Sequence, residues 1–563
     1  MAPATKKASK AAPATKAAAK SNASKVAKPA AVKASAPKAT ATKASAPKKA
    51  APPKVNGVKK AAAPVTKTKP AAKSASKSAT PADKEPVKAN IKRRRDESEE
   101  DDEAEAVVPP AKKAKQAPVK PAAKPAAKPA VVKKEILINQ QPSEQLEVYV
   151  FGDGEFGELG LGNKKFEGKG PTHVKKPRVN HILKDLGVVQ IEAGGMHAIA
   201  LTNQNKIYTW GVNDEKALGR ETNWDGGDDE DDDDDDAGLD PTEATPAEVD
   251  MSIAGDHKFT QVAATNNASF VLTDIGTVYG WGTFRGHDGV LGFSQEVKNQ
   301  VAPIQVEGLK HITSLAAGGD HMLALDKDGK IFTWGTADSF QLGRKPVSRH
   351  GGPRASLHPM VCGRFSKAHY AVQIAAGTYH SFYIDNHGKL WSWGLNNFSQ
   401  TGHSDAGGRD GAVVAAPKAV QSLKDHDIVS ISGGEHHSVA CSADGETFSW
   451  GRVDFAQVGL KKDDFPEDDV VYDENDRPRI INKPTLLPNL KSKTVACNGN
   501  TSIVIATNGE AYAWGASANK QTGLATTDDV EVPTQIKGPD VDGKKLTWAG
   551  LGGQYGMLAS VRK

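Results

Sequence analysis

The chain of 563 residues holds only three cysteines, Cys362, Cys441 and Cys497. No two of them form a Cys-x-x-Cys pair, so neither a disulfide framework nor a zinc site is indicated, and a reducing compartment is the default. Apolar runs of transmembrane length are missing, and Met1 is not followed by the apolar core of a signal peptide, so no membrane partner is expected. Neither Gly-x-Ser-x-Gly nor His-Glu-x-x-His occurs, which removes the usual signatures of hydrolytic chemistry. No catalytic residue, metal or cofactor is expected. Residues 1–134 also lack large apolar side chains almost entirely.

What the chain has instead is a repeat. The stretch Ala316–Arg344 opens with Gly318-Gly319 and His321, followed by an apolar run from Met322 to Leu325. Asp328-Gly329 then separates that run from Lys330–Trp334, a strong hairpin signal. The unit closes with Trp334-Gly335 and a polar loop ending in Leu342-Gly343. Its Gly-Gly-x-His half recurs at Gly194–His197 and Gly434–His437. Looser copies stand at Gly377–His380, Thr265–Ala268, Asn498–Thr501 and Gly552–Tyr555. Its Trp-Gly half recurs at Trp210, Trp281, Trp393, Trp450 and Trp514, with Phe151-Gly152 as a variant. Successive aromatic-Gly positions lie 59, 71, 53, 59, 57 and 64 residues apart, and hairpins repeated at such a period read as a propeller or an array. The order of the halves separates the two, because the chain begins the series with an aromatic-Gly half and ends it with a Gly-Gly half. Pairing the leftovers closes a ring and removes exposed strand edges. The fold class expected is all-β: a seven-bladed β-propeller over about residues 140–563, with interlocked N- and C-terminal strands.

Charge is divided unevenly. Residues 1–134 carry 33 Lys/Arg against 10 Asp/Glu, a net +23, so the remaining residues carry −18 of the overall +5. The Lys/Ala/Pro-rich tail cannot bury enough surface to offset its ordering entropy and is expected to be disordered. It reads as a solubilising segment or as an arm for phosphate backbones; spaced lysines on an extended chain favour sequence-nonspecific DNA binding. Within it, Lys92-Arg93-Arg94-Arg95 and the cluster of Lys112, Lys113 and Lys115 flank an acidic stretch. This is the pattern of a bipartite nuclear-import signal read by importins.

Three loops depart from the repeat. Asp225–Asp236 holds ten acids in twelve residues, and an acidic loop over residues 225–238, placed between blades, is expected to be solvated or to meet a basic partner. After Trp281 the polar loop is replaced by Phe284, Arg285, Gly286, His287, Asp288, Gly289, Val290 and Leu291, expected to project as a short hairpin. After Arg344 comes a Gly- and Pro-containing loop with Lys345, Arg349 and Arg354, a surface loop or a basic finger for an acidic protein surface. The histidines of the repeat read either as local hydrogen-bonding groups or as functional ones. A metal ring on the axis is rejected, because the loops stand too far apart for ligands at about 2 Å.

Together, the Gly-Gly-x-His halves, the Trp-Gly…Leu-Gly halves, the seven-fold count and the interlocked ends resemble the regulator of chromosome condensation family. GGMHAIAL with VNDEKALGRET, WGTFR with GVLGF, and GGDH with QLGR carry the likeness, over roughly Leu146 to Val561; the acidic insertion and long tail look fungal. The resemblance implies a guanine-nucleotide exchange factor for the nuclear GTPase Ran. Such a factor does no covalent chemistry. It binds the GTPase with one face and presses a wedge, here Phe284–Leu291, against the nucleotide-binding region. The resemblance also assigns roles on that face to Asp320, Arg344, His436 (or His437) and His197, and leaves Asn266, where the family often has an acid, in doubt. Asp320, in a small-residue turn, should present its carboxylate to solvent. The basic loop resembles the family's contact with nucleosome core histones. A nuclear, chromatin-associated monomer is implied, and the rival is a chromatin-architectural propeller without GTPase activity.

Overall fold

The computed structural model describes residues 136–225, 238–345 and 352–563. The expectations for the tail and its import clusters, for most of the acidic insertion and for Arg349 lie outside these residues.

One Gly-Gly half and one Trp-Gly half together make a four-stranded antiparallel meander. In the Trp334 blade the strands are Ile312–Ala317, His321–Asp326, Ile331–Gly335 and Met360–Cys362, in that order across the sheet. The second strand is buried along its whole length, which is why it is an unbroken apolar run rather than an alternating one. Asp326 fixes the turn that follows: its Oδ1 accepts from the Asp328 and Lys330 backbone N–H groups, at 2.9 and 2.8 Å. Gly329 takes the left-handed φ of 76° that this turn needs.

Among the described residues, five such sheets stand alone and two more share the long strand Pro478–Asn498. The first part of that strand pairs with Glu446–Arg452 and the second with Thr501–Ala506. The leftover halves at the chain ends do combine: Leu146–Asp153 pairs antiparallel with Tyr555–Val561, from Leu146 opposite Val561 to Gly152 opposite Tyr555. Seven inner strands surround a channel of about 400 Å³, with lining segments from Glu192–Gly195 round to Thr547–Leu551. The acidic insertion is placed differently from the expectation. It connects Ile207–Gly211 to Ala247–Glu248, two strands of one blade, and does not link blades.

At five joints among the described residues, successive blades are stapled at a single carbonyl. The oxygen of Gln341, in the loop before Leu342-Gly343, accepts from Trp393 Nε1 at 2.8 Å and from Ser381 Oγ at 2.9 Å, both in the next blade. Ala217 O receives Trp281 and Ser269 in the same way, and Gln400 O receives Trp450 and Ser438. Trp210 and Trp514 donate to Glu158 O and Gln457 O. The glycine of each Leu-Gly pair lets the indole come close: a Cβ on Gly219, at φ 68°, would lie 2.7 Å from the Trp281 ring.

The histidines complete this joint. His197, His321, His380 and His437 each place Nε2 within 2.7–2.9 Å of a serine in the next blade: Ser269, Ser381, Ser438 and Ser502. The hydroxyls of Ser269, Ser381 and Ser438 spend their one proton on the carbonyl, so their histidines must be the neutral Nε2–H tautomer. Burial agrees, holding His197 near 4 and His321 and His437 near 3. The unfolded chain would take up protons near pH 6.5 that these rings refuse, so their contribution is present above that pH and is lost as pH falls below it. Ser438→Ala should leave the His380 N–H without its acceptor and destabilise the ring by about 1–3 kcal/mol. An unchanged midpoint in urea unfolding would refute the joint.

Candidate functional site

In a four-stranded meander the first and third connections lie at one end and the second at the other. The Gly-Gly turns and the loops after Trp-Gly therefore share an end, which brings Asp320 and the Phe284–Leu291 excursion to the same side of the ring. The third position of each Gly-Gly-x-His copy presents its side chain at this end. Those residues are Met196, Asn267, Asp320, Tyr379, His436, Asn500 and Gln554, all partly exposed. The fourth position is buried in every copy.

That offset corrects two expectations. His197 and His437, at 1% and 0% exposure, are structural groups between blades and cannot touch a partner directly. His436 remains at the surface, tilted against Phe398 at 4.8 Å and stacked near Tyr379 at 6.0 Å. Arg452 and Arg479 lie over the same Phe398 ring, at 5.0 and 5.1 Å. The sequence reading missed this aromatic and basic cluster, whose only signal was an aromatic residue in the loop after Trp393. The histidines of the repeat point between blades, away from the axis, and none lines the channel. The one group among the described residues with metal-ligand proximity is Asp153, Glu155 and His173; Glu155 and His173 are exposed, Asp153 is half-buried, and His173 Nδ1 already lies 3.1 Å from Asp153.

The excursion after Trp281 is a hairpin. Phe284–Gly286 pairs with Gly289–Gly292, with His287-Asp288 at the turn and Gly289 at φ 106°. Arg285, His287 and Asp288 are exposed. Phe284 is not part of the projecting surface: it is fully buried and roots the hairpin against Phe270 and Phe293, with ring centroids 6.0 and 6.3 Å away. The same cluster receives Trp334, edge-on to Phe270 at 5.8 Å.

Asp320 differs from its expected exposure. Its Oδ1 accepts from the Arg285 backbone N–H at 2.8 Å and from Asn267 at 3.5 Å, and its Oδ2 accepts from Asn266 at 3.3 Å. The carboxylate is thus partly buried and engaged with the hairpin rather than held out to solvent. Burial pushes it up to about 6, against the hydrogen bonds that favour its charged form. Asn266 suits this place as an amide donor, where a second acid would repel Asp320.

Arg344 is likewise internal. Its guanidinium donates to Thr333 O at 2.7 Å and His358 O at 3.2 Å, and burial lowers its pKa. Arg220, after the equivalent Leu-Gly pair, makes the same bond to Thr209 O at 3.0 Å, so this arginine ties a loop to its own blade and offers no free charge. Arg354 donates to Gln295 O at 3.1 Å beside the root of the hairpin, while Lys345 is exposed.

A closed ring of β-meanders, with a rooted hairpin standing at one end of its channel, is a β-propeller. The chain belongs to the RCC1-like domain family, whose model matches residues 147–558. It is 38% identical over 454 residues to the guanine nucleotide exchange factor SRM1 of Saccharomyces cerevisiae, covering 76% of this chain and 89% of that protein. The crystal structure of Prp20p from the same yeast, described with its binding to Gsp1p and histones, superposes with a TM-score of 0.67 at 36% identity. It covers 76% of this chain and 93% of Prp20p. Yeast RCC1 (Prp20) with Kap60 bound to it also superposes at 0.67 and 36% identity, over 79% and 97% of the two chains.

The Asp320 environment has a pH consequence. Its folded pKa lies above the unfolded value, so its protonated form is favoured on folding. Stability from this group is present below about pH 4 and falls as pH rises towards 6, by on the order of 3 kcal/mol in total. Asp320→Asn should therefore gain stability relative to the unsubstituted protein as pH rises from 4 to 7. A constant difference between their melting temperatures across that range would refute the assignment.

Proposed function

We propose that this protein is a guanine-nucleotide exchange factor for a Ran-type GTPase, acting without covalent chemistry. The observation that carries the reading is the hairpin Phe284–Leu291: rooted in a buried aromatic cluster, it holds Arg285, His287 and Asp288 at the same end as Asp320 and His436. A stiff projection of this kind suits displacement of mobile phosphate-binding segments, because its pose is set before the partner arrives. Pressing on those segments favours the nucleotide-free state of the GTPase, and whichever nucleotide is more abundant then refills it. The likeness to the SRM1 exchange factor supports the same reading.

In this reading His436, Tyr379 and the exposed hairpin tip meet the GTPase, while Asp320 and Asn266 shape the hairpin behind them. The basic tail docks the protein on chromatin DNA, Lys345, Arg349 and Arg354 serve an acidic histone surface, and the import clusters bring the chain to the nucleus as a monomer. Binding of Prp20p to Gsp1p and histones, and of Kap60 to Prp20, supports the GTPase, histone and importin partners. A purely architectural chromatin protein would need the tail and the basic loop but not the hairpin.

Replacing Arg285–Gly289 with a short Gly-Ser turn should leave GTPase binding in place and slow release of labelled GDP by at least about tenfold. Release at the unsubstituted rate would sink the wedge mechanism. Removing residues 1–134 should weaken DNA binding and flatten its steep salt dependence, while exchange on free GTPase stays nearly intact. Loss of exchange in the truncated protein would contradict that division of labour.

A further inference from the structure

A two-stranded hairpin with arms of three and four residues is marginal by itself in water, yet this one stands out from the ring with an exposed tip. Its buried root explains where it starts but not what fixes its direction. The neighbouring blades supply that. On one side Glu215, in the loop after Trp210-Gly211, reaches across to the hairpin. Its Oε1 accepts from Arg285 at 2.6 Å and its Oε2 accepts from Asn299 at 3.0 Å. Arg285 belongs to the outgoing arm, and Asn299 to the segment that returns after the incoming arm. One carboxylate thus closes the base of the excursion with both oxygens.

On the other side the following blade grips the outgoing arm. Asp320 accepts from the Arg285 N–H, and Thr336 Oγ1 donates to the Arg285 carbonyl. Asp338 Oδ2 accepts from the His287 N–H at 2.8 Å, beside the turn. The Arg285 side chain is about half exposed while Glu215 is only 18% exposed, so the pair is held from within the ring rather than from the tip.

We propose that Glu215 is a positioning residue for the wedge, with Asp338 as its counterpart near the tip. Carboxylates from the two flanking blades set the hairpin's pose before any partner binds. The inference rests on the exchange reading for its activity readout, but its structural claim stands apart from it. Because Glu215 already engages the Arg285 guanidinium, that side chain acts as a strut of the wedge, and the partner meets the remaining tip surface of His287 and Asp288. Misplacing such a tip by even about 1 Å can reduce a positioned reaction by about a hundredfold.

Two measurements on the full-length protein test this. Amide hydrogen exchange across residues 284–292, followed by mass spectrometry with no GTPase present, should speed up by about tenfold or more in Glu215→Ala and at His287 in Asp338→Ala. Glu215→Gln, which keeps an acceptor oxygen, should lie between the alanine variant and the unsubstituted protein. In the second measurement, labelled-GDP release is followed against GTPase concentration. Glu215→Ala should lower the maximal rate by about tenfold, with a change in half-saturating concentration below about threefold. The double variant Glu215→Ala with Arg285→Ala should be no slower than the slower single one. The melting temperature should barely move, since a partly exposed ion pair adds little to global stability. Unchanged amide exchange in Glu215→Ala would overturn the proposal. So would a loss confined to half-saturating concentration, which would make Glu215 a direct contact. If the unsubstituted protein releases no GDP, the exchange reading fails, and the amide measurement still decides the clamp.

Discussion

A single backbone carbonyl joins one blade to the next at five places in this ring. A carbonyl oxygen has two lone pairs, and at Ala217, Gln341 and Gln400 both are used by the next blade, one by an indole N–H and one by a serine hydroxyl. The serine then accepts from the histidine of the blade before. Three side-chain types at fixed places thereby bind each of these blades to its successor with directional bonds, inside a joint that water does not reach. The same burial penalises a charged ring, which holds the histidine pKa values low and keeps the joint neutral.

The joint also explains why the wedge sits where it does. The blade that carries it has Ala268 where four others have histidine, and the next blade has Met322 where four others have serine. The loop after Trp281 is therefore released from supplying the shared carbonyl. In place of the hydrogen-bonded staple, Trp334 packs into Phe270, Phe284 and Phe293. Aromatic packing is less directional than a buried hydrogen bond and leaves the backbone of the loop free to leave the ring. What it loses in local fixing is returned at the surface, where Glu215, Asp320 and Asp338 hold the projecting arm.

The closing blade shows the same logic under a different substitution. Tyr555 stands at the histidine position, and the next blade offers Ala198 instead of serine. The tyrosine is long enough to do without it: its hydroxyl donates to the His197 carbonyl at 2.7 Å. Glu158 is a similar replacement, accepting from the Phe156 N–H as Gln341, Gln400, Gln457 and Gln521 do in their own loops, with burial raising its pKa.

The sequence alone determined the ring, because closure follows from the order of its halves and strand pairing from local turns such as Asp328-Gly329. It also marked the excursion at Phe284–Leu291, where the loop pattern breaks. A further regularity was legible and went unread: histidine occurs in a copy where the next copy has serine one place later, as with His321 and Ser381 or His437 and Ser502. That pairing identifies the histidines as structural before any fold is known. Tertiary structure decided what depends on contacts between copies. His197 and His437 turn inward, as the first residues of strands packed against the next blade, while His436 lies in the turn before its strand and stays partly exposed. Asp320 is drawn to the Arg285 amide, and Arg344 to its own strand, by neighbours 35 and 11 residues away. Glu215, 70 residues from Arg285, had no pattern in the chain to announce it, since a clamp between blades exists only once the ring has brought its two halves together.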